Sequence, residues 1–77
     1  MNIHLYQANF VEDSYKFSPL PDDGKIPNEY RSNGLTYTPN EIRYENARYF
    51  IYCNHELNDY ERKKLELDWA DCPYSPK

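Results

Sequence analysis

Four side chains could bind a transition metal through nitrogen or sulfur: His4, Cys53, His55 and Cys72 are all the His and Cys in the chain. Two Cys and two His would satisfy a tetrahedral zinc ion, and a small domain would gain a staple from it. The spacing argues otherwise. Cys53-x-His55 is tighter than the usual two to four intervening residues, and His4 and Cys72 lie alone at opposite ends of the chain. The expectation is no metal and no cofactor, with a zinc-stabilised structural domain as the third functional alternative. Two cysteines are also too few for the dense disulfide framework of small secreted domains, so reduced thiols are expected rather than a Cys53–Cys72 bridge.

Catalysis finds no foothold. There is no nucleophile beside a base and no glycine-rich phosphate cradle, since Gly24 and Gly34 stand singly. The paired acids are of the kind found in solvated turns. A non-enzymatic role follows.

Binding chemistry is better supplied. Between residues 11 and 34 carboxylates alternate with aromatics: Glu12, Asp13, Tyr15, Phe17, Asp22, Asp23, Glu29 and Tyr30. Such a set presents a negative field that draws in a basic surface, while the rings anchor the complex. Glu66, Asp68 and Asp71 could extend that surface. A second set, Arg43, Tyr44, Arg48, Tyr49 and Tyr52, together with Phe50, could stack single-stranded bases if it lay on an open sheet.

The formal charge of −4 is unevenly spread. Residues 1–42 carry six acids against three bases, 43–64 four against five, and 65–77 three against one. Without a basic excess, duplex DNA is not an expected partner. The opening "MNIHLYQANF" has neither the basic flank nor the apolar run of a signal peptide, and no segment is long and apolar enough to span a membrane. A cytoplasmic protein is expected.

The elements that must position these residues belong to one small domain, 1–77, of the α+β class. Fourteen Val, Ile, Leu and Phe are too few to order the whole chain, so the nine Tyr must contribute core area. Short antiparallel strands are expected at about 2–7, 35–38 and 47–53, with a long irregular loop over 11–34 in which "SYKF" forms a short strand. "PDDGK" reads as a turn within that loop. Thr38-Pro39-Asn40-Glu41 reads either as a capping box opening a helix or as a turn between "LTY" and "IRY". The β-rich "ARYFIYC" favours a strand, and the alternative is an αα-hairpin of 39–53 and 58–71. Asn58 caps a helix over about 58–71 with Leu57, Leu65, Trp69 and Cys72 on one face, Tyr60 and Leu67 at its edge, and Pro73 beyond its end.

No motif here identifies a family. In general cast the chain resembles the small accessory proteins with which phages and mobile elements disable or redirect a host protein. That resemblance implies a protein-binding inhibitor or modulator that occupies a basic surface, with nucleic-acid mimicry and a homodimer both admitted. The alternative is the single-stranded nucleic-acid binder built on the 43–52 aromatics.

Overall fold

A computed structural model describes residues 2–21, 25–44 and 46–75. The chain is α+β. Five strands, β1 (Asn2–Val11), β2 (Ser14–Pro19), β3 (Tyr30–Ser32), β4 (Leu35–Tyr44) and β5 (Ala47–Cys53), form one sheet in the order β2-β1-β5-β4-β3, followed by α1 (Asp59–Ala70).

β5 is central, and its register explains its composition. Tyr49, Ile51 and Cys53 point to the face covered by α1, while Phe50 and Tyr52 point to the other, so both faces are buried and the strand reads as a continuous apolar run. Its neighbours are antiparallel β4, with Ile42 opposite Tyr49, and parallel β1, with Leu5 opposite Phe50. The parallel pair corrects the expectation of an all-antiparallel sheet. Chain order does not set it: the N-terminal strand enters beside β5, with antiparallel β2 on its other side.

Residues 11–34 are mostly not the irregular loop expected. β1 continues to Val11 and turns through Glu12 and Asp13 into β2. Both turn residues have positive φ, 53° and 66°, the pattern of a type I′ hairpin. That turn favours Asn and Gly, so Glu-Asp gave no hairpin signal. Asn33-Gly34 does carry that signal, with φ of 52° and 79°, and joins β3 to β4. Among the described residues, the irregular part shrinks to 20–21 and 25–29. On the face away from α1, Leu20 and Tyr30 pack on Leu5, Tyr37, Phe50 and Tyr52. The Tyr52 hydroxyl donates to the Pro27 carbonyl at 2.6 Å and the Leu20 amide to the Leu5 carbonyl at 3.0 Å. The "PDDGK" turn falls on Asp22, Asp23 and Gly24, outside the described residues.

Both readings of Thr38–Glu41 are overturned. β4 runs straight through Pro39, which sits opposite Tyr52, so there is neither a helix over 39–53 nor a turn. Proline is admissible because β3 pairs only with Leu35–Tyr37 and leaves the rest of β4 with an unpaired outer edge.

Helix α1 starts at a complete capping box. The Glu61 amide donates to Asn58 Oδ1 at 2.8 Å, and the Asn58 amide to Glu61 Oε1 at 3.3 Å. Leu65, Trp69 and Cys72 enter the core, whereas Leu67 and Tyr60 are 61% and 80% exposed and lie beyond the edge of the apolar face. Arg62–Glu66 and Lys64–Asp68 pair at i, i+4.

Tyr15, Tyr37, Tyr49 and Tyr52 are buried, which supplies the core area that the aliphatic residues lack. Cys53 and Cys72 are free thiols in the same cluster. Burial pushes the Cys53 thiol from 9.0 to about 11, and burial likewise raises Tyr6, Tyr15 and Tyr52. An acid whose folded pKa is raised stabilises fully below its unfolded pKa and loses that contribution as pH climbs through the folded value. Between about pH 9 and 11, Cys53 alone is expected to withdraw roughly 2–3 kcal/mol. Urea unfolding at stepped pH checks this, because a Cys53→Ala variant should lose less stability than wild type over that window. Equal losses would remove Cys53 as a source.

Candidate binding groove

One end of the molecule brings the β1–β2 turn against the start of α1. A groove of about 710 Å³ lies there, lined by Phe10, Asp13, Tyr15, His55, Tyr60, Glu61 and Lys64. Register places the rings: Phe10 and Tyr15 are opposite each other on β1 and β2, edge to face with centroids 5.0 Å apart. The capping box places Glu61 in the first turn of the helix, next to Tyr60.

Polar contacts fix the floor. His55 Nε2 lies 3.1 Å from Glu61 Oε2 and 3.3 Å from the Tyr15 hydroxyl, so a proton on Nε2 is donated to the carboxylate and shared with the phenol oxygen. His55 Nδ1 lies 3.2 Å from Asn54 Oδ1; turning that amide over would offer its NH₂ to a neutral ring. The Tyr15 phenol is raised by burial first, then by Cys53, Glu61 and Asp68 nearby, so it remains a neutral hydroxyl. Lys64 is turned towards Asp68 at 3.1 Å. The Asp13 carboxylate has no hydrogen-bond or ion-pair partner among the described residues. Phe10 and Val11, before the turn, are 53% and 47% exposed.

The acidic and aromatic residues singled out in the sequence are not assembled into one patch. Glu12 and Asp13 form the hairpin tip, and Tyr15 lines the groove although it is itself buried. Phe17 packs edge to face on Trp69 at 5.1 Å. Tyr30 lies at the far edge of the sheet on the opposite face, tilted against Tyr37, and Glu29 pairs with Arg31 at 3.3 Å. Asp22 and Asp23 lie outside the described residues. Asp68 accepts from the Tyr15 amide at 2.9 Å, Glu66 pairs with Arg62, and Asp71 is the helix C-cap.

The Arg and Tyr set of 43–52 divides between two faces. Arg43 and Arg48 share the face away from the helix, both bound to Glu41, and Arg48 stands over Phe50 at 5.1 Å. Hydrogen bonds from Arg48 and Arg43 hold the Glu41 carboxyl below its ordinary range. Tyr52 is on that face but buried, with its hydroxyl on the Pro27 carbonyl, and Tyr49 is under Trp69 on the other side. Tyr44, exposed, falls on the Tyr49 side by strand alternation. The four N and S ligands are also apart in role: the thiols are core, His4 stacks on Tyr49 at 5.1 Å, and His55 serves the groove. Among the described residues no group of three or more His, Cys, Asp or Glu could hold a metal ion, and no helix is long and apolar enough to cross a membrane.

Sequence reasoning did not place Phe10, His55 or Tyr60 in a binding site. The available signal was Phe10-Val11 before two acids, a large apolar pair that a hairpin tip cannot bury. No known protein family matches this chain, and no curated protein or solved structure shows significant similarity to it.

Proposed function

We propose that the protein is a non-enzymatic protein-binding module, of the inhibitor or modulator type, that acts by occupying a basic partner surface with the end formed by the β1–β2 turn and the start of α1. The observation that carries this reading is the gathering of exposed Phe10 and Tyr60 around one groove that is also lined by the carboxylates of Asp13 and Glu61. Large exposed rings beside a charged rim are what binding hot spots are made of, and charges of one sign speed encounter with the opposite sign. The single-stranded nucleic-acid reading draws less support, because Tyr49 and Tyr52 are buried on opposite faces and Glu41 holds both arginines.

The test is site-specific photocrosslinking in lysate of the native host, with the photoreactive residue at position 60 or, as a control, at the exposed Leu35. A discrete protein adduct is expected from position 60, lost when Phe10→Ala is added. No protein adduct there, an equal yield from position 35, or an adduct to nucleic acid would overturn the proposal.

A further inference from the structure

We propose that the groove is a receptor for the guanidinium of an arginine side chain presented by the partner, an inference that rests on the protein-binding reading and gives it its chemistry. Phe10, Tyr15 and Tyr60 contribute ring surface and Asp13 and Glu61 contribute carboxylates, all to one cleft. Aromatic walls attract a cation through their negative faces, and a planar guanidinium both stacks on them and forks onto a carboxylate.

The local charges leave room for the ligand. Lys64, the cation in the lining, is engaged by Asp68. Glu61 receives the Asn58 amide on one oxygen and His55 on the other, and a carboxylate with about four lone-pair sites can still accept from the open side. Asp13 is the carboxylate without a partner among the described residues, held at the tip by a backbone with φ of 66°. Asp59 and Glu61 in the first turn and the capping box offset the positive end of the helix, which would otherwise repel a cation. The cleft, at about 710 Å³, is larger than a guanidinium and accommodates the arginine stem with flanking backbone. Arginine is favoured over lysine because an ammonium cannot stack flat on a ring.

The test titrates the intact protein with capped Gly-Arg-Gly, Gly-Lys-Gly and Gly-citrulline-Gly peptides and follows backbone and aromatic resonances by NMR. Saturable shifts confined to Phe10, Asp13, Tyr15, Tyr60 and their neighbours are expected for the arginine peptide, weaker ones for lysine and none for the neutral citrulline isostere. Asp13→Asn, Glu61→Gln and Tyr60→Ala should each weaken arginine binding roughly two- to fivefold. Gln is admissible in a capping box, so Glu61→Gln keeps the helix start. Absence of saturable shifts, or equal shifts with citrulline, overturns the arginine assignment. A protein adduct at position 60 together with no arginine response would leave the binding module standing and remove only its ligand.

Discussion

Trp69→Ala is expected to bring the domain to the edge of unfolding at room temperature. Trp69 is 3% exposed and stands at the junction of three rings, Tyr6 at 5.0 Å, Phe17 at 5.1 Å and Tyr49 at 5.3 Å, so it joins β1, β2 and β5 to the helix. Truncating a buried Trp costs about 3–5 kcal/mol. A chain of this length has a total of about 4–12 kcal/mol to lose. Thermal and urea unfolding should therefore show a fall in Tm of at least about 12 °C. Trp69→Phe is the informative partner. The buried indole Nε1–H has no acceptor among the described residues, so phenylalanine removes an unsatisfied donor while keeping most of the ring contact. Its expected loss is under about 1.5 kcal/mol. Near-equal losses for the two variants would show that the junction is not held by ring packing.

Asp68→Ala is expected to cost about 1.5–3 kcal/mol, because one carboxylate serves two elements. Asp68 Oδ2 accepts from the Tyr15 amide at 2.9 Å and Oδ1 from Lys64 at 3.1 Å. Tyr15 sits on β2, an edge strand, at a position where strand alternation turns the amide outward. The helix thus closes a donor that would otherwise face a neighbouring molecule. Pro19, also outward-facing by alternation, has no N–H to offer. Losing Asp68 should speed hydrogen exchange at the Tyr15 amide and make the protein associate at concentrations where wild type stays monodisperse by light scattering. A stability loss below about 0.5 kcal/mol with unchanged Tyr15 exchange would deny the carboxylate this role.

Legibility in the sequence followed the strength of local signals. The capping box at Asn58 and Glu61 located the helix to within a residue, and the run of strand-favouring residues in "ARYFIYC" located β5, because each carries its own local signal. The β1–β2 hairpin was hidden because Glu12 and Asp13 adopt positive φ without being Asn or Gly. The continuation of β4 past residue 38 was hidden because Pro39 reads as a breaker unless one knows that β3 is too short to pair with it. The groove combines residues from 10 to 64, and no local pattern announces that a turn and a helix cap meet. Asp13 and Tyr15, read from the sequence as partner-binding residues, line that groove, but Phe10, His55 and Tyr60 could be placed in it only by the tertiary fold.

The parallel pairing of β1 with β5 bears on how the chain is born. Residue 2 lies beside residue 47, so β1 waits for its central neighbour until about 45 further residues have been translated. At 5–20 residues per second that wait is roughly 2–9 s. During it, β1 has only the short antiparallel β2 for company, and a lone hairpin is marginal in water. Trp69, which covers both strands, is translated later still. Nascent chains stalled on the ribosome should accordingly stay protease-sensitive until the stretch through Cys72 has cleared the exit tunnel, and then become resistant in one step.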